Sequence, residues 1–228
     1  MKKFIVISVI VILLVVVAMF VPTKEKELPK EDLLGISYDV DGNEVELSKY
    51  NTENPVVAMY VKNYGSIVME LYPDVAPNTV LNYISLVKSG FYDHNSFHRL
   101  VPGFVLQGGD PDGNGSGGPG YSIKGEFESN GFDNSLKHEK WVISMARSND
   151  ADSAGSQFFI CLDTASNLDG EYATFGKVID GFTNIENIVQ NERVADSDSG
   201  KLQNNLVIEK ALIDLKGKEY GDVEKITE

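Results

Sequence analysis

From Pro55 onward the apolar residues of this chain come in short runs cut apart by glycine-bearing turns, and that punctuation constrains the fold more than any other feature. Val56–Val61, Ser66–Leu71, Phe97–Leu100, Phe104–Gln107, Trp141–Ala146, Gln157–Leu162, Thr174–Val178 and Leu206–Leu215 each read as a strand. Asn63, Tyr64 and Gly65 form a turn signal between the first two. Helical spacing appears in only two places. Val80, Leu81, Tyr83, Ile84 and Val87 make an apolar stripe over Pro77–Lys88, opened by the proline and closed by Gly90. Ile185, Ile188 and Val189 make the second stripe. Many short strands and few helices predict an all-β domain, closed as a barrel or stacked as a sandwich, with no internal repeat.

The amino end has a different texture. Met1, Lys2 and Lys3 precede eighteen residues, Phe4 to Val21, in which Ser8 is the only polar side chain. A helix of that length reaches roughly 27 Å, close to the thickness of a bilayer's hydrocarbon layer. The run shows no one-sided pattern, so lipid rather than a protein core is its expected surroundings. It exceeds the usual apolar core of a cleaved signal, and its one small-x-small site is Val16-Val17-Ala18. The expectation is a single-pass cell-membrane anchor at residues 4–21 with the remainder outside the cytoplasm, secretion after signal cleavage being the alternative. The expected organisation is therefore 1–22 transmembrane signal-anchor or signal peptide, 23–54 linker with a possible short hairpin, 55–217 main globular domain and 218–228 polar tail. Within the linker, Tyr38–Val45 reads as the hairpin, with Asp41-Gly42 at its turn.

Composition excludes several functions. With 34 Asp+Glu against 20 Lys+Arg the chain carries a formal charge of −14, which repels phosphate backbones and argues against nucleic-acid binding. Cys161, the only cysteine, sits in an apolar run and reads as a small core residue. Asp39, Asp41 and Asn43 share the spacing of a calcium loop, but Glu44 stands where that loop needs glycine. His94 and His98 flank a strand and lack the glutamate of a zinc helix. The glycine-dense loop 113–120 lacks the Lys-Ser/Thr of a phosphate loop, and no serine elbow is present. Neither a metal nor a cofactor is expected. An enzyme remains an option if its reaction neither makes nor breaks a covalent bond.

The stretch from Phe97 to Asp110, reading FHRLVPGFVLQGGD, closely resembles the signature of the cyclophilin-type peptidyl-prolyl cis/trans isomerases. Ser144-Met145-Ala146, Gly155 to Ile160, Leu168-Asp169-Gly170 and Phe175 to Val178 follow in family order, and Ala76 to Val80 and Gly90 to Asp93 match upstream. The resemblance covers about Pro55 to Leu215. It implies a closed eight-stranded antiparallel barrel capped by two helices, with an external groove that takes proline-containing segments of unfolded or exported proteins. By motif it places Arg99 as the catalytic residue. It places Phe104, Val105, Gln107, Ala146, Arg147, Gln157, Phe159, Asn167, Leu168 and Tyr172 in the substrate groove. Two positions depart from the family. Asn167 stands where tryptophan is usual and Tyr172 where histidine is usual, so the cyclosporin binding that the resemblance implies is expected to be weak. These departures also keep open a non-catalytic proline-binding module. Trp141 occupies a place where the family often has glycine.

Overall fold

The computed structural model describes residues 36–38 and 44–227. The expected membrane helix at 4–21 and the hairpin turn at 39–43 lie outside the described residues. Among the described residues, no helix is long and apolar enough to cross a membrane. Two short strands, β1 (Ile36–Tyr38) and β2 (Glu44–Glu46), pair antiparallel.

Nine further strands follow: β3 (Val56–Val61), β4 (Gly65–Leu71), β5 (Ser96–Val101), β6 (Val105–Gly108), β7 (Val142–Met145), β8 (Phe158–Cys161), β9 (Thr174–Asp180), β10 (Val194–Asp196) and β11 (Lys201–Asp214). They are joined antiparallel in the order β10-β11-β3-β4-β9-β7-β8-β6-β5, and β11 also pairs with β5. That last pairing closes eight of them into a barrel, with β10 as a flap on β11. Strand β11 closes the ring because it is long and bulged. Its first half pairs with β5 (Lys201↔Arg99, Leu206↔Phe97), and its second half pairs with β3 (Ile208↔Val61 to Asp214↔Val56). The sequence suggested a strand only from Leu206, because the residues from Gln203 to Asn205 are polar and exposed.

The interior is packed solid. Tyr83 lies with its ring centroid 5.0–5.4 Å from those of Tyr92, Phe158 and Phe175, and Met59, Ile67, Leu71 and Leu100 fill the same core. A filled interior leaves only the outer surface for a ligand. Helix α1 (Pro77–Lys88) buries Val80, Tyr83, Ile84 and Val87 in that core. It begins at Ala76 with no local side-chain cap. The buried Glu126 carboxylate supplies one from a distance, accepting the backbone N–H of Asn78 (3.0 Å) and Thr79 (2.7 Å). Helix α2 (Phe182–Asn191) buries Ile185 and Ile188.

Strand β3 is buried on both faces, which accounts for its unbroken apolar sequence. Val57, Met59 and Val61 belong to the central core, whereas Val56, Ala58 and Tyr60 form an outer cluster with Val68 and Leu47. Leu47 comes from the stretch read as linker, and the chain from Glu46 to Asn54 is held against the barrel. Tyr50 donates to Asp180 (2.5 Å), the Lys216 ammonium to the Leu47 carbonyl (2.9 Å), and Thr52 and Asn54 to Glu70. The polar tail is likewise docked. Tyr220 and Val223 pack on the core, Ile226 bridges to Ser122, and the Glu224 backbone exchanges hydrogen bonds with Asn78.

Trp141 has φ +75°, a left-handed backbone that suits glycine and strains a bulky residue. Its backbone carries barrel hydrogen bonds to Cys161 and Val178. Its indole packs on Phe182 (5.4 Å) under the Lys140 ammonium (4.4 Å), contacts that glycine would forfeit.

Candidate active site

Cross-strand register assembles the site. Arg99 on β5 is opposite Gln107 on β6, Gln107 is opposite Phe159 on β8, and Phe159 is opposite Ser144 on β7. Directly opposed residues project to the same face of a sheet, so this row presents a cation, an amide and a ring side by side on the barrel's outer surface. Their inward neighbours Leu106, Ile160 and Ile143 belong to the core.

Arg99 is held rather than free. Its Nε donates to the Ser199 carbonyl (2.7 Å) and its Nη1 to Gln107 Oε1 (3.1 Å). Its other terminal nitrogen, Nη2, has no hydrogen-bond partner among the described residues. Ser199 reaches Arg99 because the next residue is glycine: a Cβ on Gly200 would stand 2.5 Å from Val101 Cγ2 and 2.9 Å from the Leu100 carbonyl. Partial burial presses the Arg99 pKa below its ordinary value while Tyr172 pulls it back up, and a guanidinium so placed stays charged throughout the physiological range.

Beside the cation lies an apolar wall. Val105, Phe159 and Cys161 form a buried cluster, with Phe104, Ala146, Leu168 and Tyr172 packed against it. The Tyr172 ring stands edge-on to Phe159 at 5.9 Å. Burial pushes the Cys161 thiol up to about 12, with the Asp169 charge adding to the rise, so this thiol is wall and not nucleophile. Arg147 is a wall component too. Its guanidinium lies between the Tyr172 ring (4.7 Å) and the Phe127 ring (5.1 Å) and donates to the carbonyls of Glu171 and Ser148. Gln157 accepts from Gln107 (3.0 Å) and lines, with Gln107, Ala146 and Arg147, a cavity of about 460 Å³. Asn167 is apart from these groups: it is exposed, and its side chain has no hydrogen-bond partner among the described residues.

Two features behind the groove were not legible in the sequence. His138, buried, stacks under Phe159 (6.0 Å, 16° between planes), with Nδ1 on Asp169 Oδ1 (3.0 Å) and Nε2 on Ser144 Oγ (3.1 Å). The Asp–His–Ser order is that of a hydrolase triad, but Ser144 is fully buried and no substrate carbonyl reaches it. Burial lowers the His138 pKa, against the pull of Asp169, and the neutral ring serves as a rigid backing for Phe159. The second feature is the loop after β6. The Asp110 carboxylate, 1% exposed, accepts the backbone N–H of Asp112, Asn114 and Gly115. Burial alone would raise its pKa, yet those donors hold it below the usual carboxylate value. Asp169 and Asp110 stand in the sequence motifs; their partners do not.

A sealed barrel leaves its outer groove, with an anchored cation against an apolar wall, as the place on this surface suited to a ligand. The chain belongs to the cyclophilin-type peptidyl-prolyl cis-trans isomerase family: the family described as "Cyclophilin type peptidyl-prolyl cis-trans isomerase/CLD" matches residues 56–213. The chain is 48% identical over 124 residues to peptidyl-prolyl cis-trans isomerase B of Bacillus subtilis, covering 54% of this chain and 83% of that one. It is 40% identical over 149 residues to a peptidyl-prolyl cis-trans isomerase of Helicobacter pylori, covering 64% and 88%. Its fold is similar to the crystal structure of a Cryptosporidium parvum cyclophilin type isomerase determined in the presence of the dipeptide Ala-Pro (TM-score 0.60, 34% identity, 69% of this chain and 98% of that one). The protein is a peptidyl-prolyl cis-trans isomerase.

Proposed function

We propose that Arg99 is the catalytic residue and that Phe104, Val105, Gln107, Ala146, Gln157, Phe159, Leu168 and Tyr172 seat the proline and its neighbours. The observation that carries this reading is a guanidinium with two nitrogens anchored and a third unengaged beside an apolar wall. Rotation about an X–Pro bond has a barrier of about 18–20 kcal/mol and takes tens to hundreds of seconds unaided. Turnover in milliseconds needs a gain of roughly 10⁴–10⁵, or about 5.5–7 kcal/mol. At the twisted midpoint amide resonance is lost, the prolyl nitrogen regains a lone pair and the carbonyl becomes less polar. An N–H of Arg99 aimed at that nitrogen binds the twisted form better than either planar isomer. The wall of Phe104, Phe159 and Leu168 displaces water, which strengthens the interaction and favours the less dipolar state. No proton is transferred, so the neutral, buried His138 has no acid–base part. Arg99→Ala should lose most of the acceleration of an X-Pro peptide while still binding it; an unchanged rate would overturn the assignment.

The substrates we propose are X-Pro bonds of exported proteins, with the enzyme acting as a folding assistant at the outer face of the cell membrane. The apolar run Phe4–Val21 supports this reading. Protease treatment of intact cells and of lysed cells tests it: digestion in both supports an outer location, and protection until lysis overturns it. Asn167, in place of the tryptophan usual in the family, supports weak cyclosporin binding, and Asn167→Trp should tighten it; an unchanged affinity would overturn this reading.

A further inference from the structure

We propose that the loop from Asp110 to Gly117 sets which end of each glutamine amide faces Arg99, making Asp110 a positioning residue for the isomerase reaction. This rests on the assignment of Arg99. A glutamine amide has an oxygen end and a nitrogen end of nearly equal size, so packing alone does not choose between its two orientations. Hydrogen-bond partners do. Gln157 Nε2 donates to two carbonyls of the loop, Gly115 O (3.0 Å) and Gly117 O (2.9 Å), which accept and never donate. Gln157 Oε1 is thereby turned toward Gln107, whose Nε2 donates to it at 3.0 Å. Gln107 Oε1 is left facing Arg99 and accepts from Nη1.

Reversing either amide sets donor against donor, and at Gln107 it sets an amide N–H against the guanidinium. The polarity of the chain therefore originates in the loop carbonyls, and Asp110 holds those carbonyls in place. The carboxylate closes the loop by accepting Asp112 N at 2.8 Å and Asn114 N at 3.0 Å, together with Gly115 N. Gly117 packs so closely that a Cβ there would stand 2.1 Å from Asp110 Oδ1. Asp110 lines neither the apolar wall nor the cavity, so it acts on the site at a distance, and the loop carbonyls on Gln157 offer the hydrogen-bonded route from it to Gln107.

A double-mutant cycle on the full-length protein tests this. Asp110→Asn replaces one of the two acceptor oxygens with a donor, and kcat/KM should fall about tenfold, a loss on the scale of one misdirected charge-assisted hydrogen bond. The loss should appear in kcat with KM nearly unchanged, and the Arg99 guanidinium NMR signals should shift. Gln107→Glu presents an acceptor to Arg99 whichever way it turns, so in that background Asp110→Asn should lose less than about twofold more. An equal loss in both backgrounds, or no loss in the single variant, overturns the proposal. Should Asp110→Asn fail to fold, Gln157→Met breaks the same chain and is read by the same cycle. Arg99→Ala separates the two levels. If it stays active, the Arg99 assignment itself fails; if it is inactive while the cycle is additive, only the positioning role fails.

Discussion

Replacing Arg99 by lysine keeps the charge and removes the geometry, which makes it the sharpest probe of the site. The guanidinium spends Nε on the Ser199 carbonyl and Nη1 on Gln107, and under the proposed mechanism Nη2 is the nitrogen that meets the substrate. A lysine has one nitrogen for all three tasks. An ammonium that settles on Ser199 or Gln107 is withdrawn from the groove; one that reaches the groove is unanchored and gives up side-chain freedom on binding. The interaction we propose for Nη2 is a charge-assisted hydrogen bond formed only at the twisted midpoint, worth about 1.5–3 kcal/mol, or roughly 10- to 150-fold in kcat/KM. Arg99→Lys should therefore fall within about threefold of Arg99→Ala, both at least tenfold below wild type. A peptide whose proline isomer is read out by coupled proteolysis gives kcat/KM, and circular dichroism confirms that the variants fold. If the lysine variant keeps more than a third of wild-type activity, positive charge suffices and the anchoring argument is wrong.

Three further outcomes are expected. Glu126→Ala strips both acceptors from the first turn of α1 and should cost about 1–3 kcal/mol in urea denaturation, since the two N–H groups stay partly buried without partners. Leu47→Ala should cost about 2–3 kcal/mol by leaving a void over Val56, Ala58 and Val68, yet leave kcat/KM unchanged because the groove lies on other strands; lost activity in a folded variant would refute that separation. Acidification should weaken the fold in two windows. Burial lowers the pKa of both His98 and His138, so their contribution is complete above the unfolded value of about 6.5 and drains away as pH falls through the folded values. Asp110, Asp169 and Asp180, all lowered, follow below about 3.9. His138→Gln should shrink the first window in a plot of stability against pH, and an unaltered plot would exclude His138 as a contributor.

Much of the barrel was legible because its strands are buried on at least one face. Val56–Val61 and Pro77–Lys88 were read with the bounds the structure gives them. What escaped the sequence has a physical reason in each case. The first half of β11 alternates nothing, because its register with β5 is interrupted between Lys201 and Leu206, where Gln203 and Asn204 are exposed. The strap around Leu47 looked like linker because one leucine anchors it and the rest is side-chain hydrogen bonding to distant partners. Trp141 looked anomalous because a backbone angle of +75° is invisible in a residue name. In the candidate site, the motif pointed to Arg99, Gln107 and Phe159, which the strand register sets in one row. The Ser199 carbonyl that steadies Arg99 is 100 residues away and contributes no side chain there, so no motif could reveal it.

The ring is completed by the last strand to be made. A chain growing from its amino end has strands β3 to β9 in hand while β5 and β3 still show bare edges, and the oxygen that steadies Arg99 has not yet arrived. The ring and the anchor on Arg99 are therefore both incomplete until the carboxyl-terminal part folds back onto β3 and β5. A truncation before Lys201 would lose the enzyme and the closed barrel together, and leave behind an adhesive sheet.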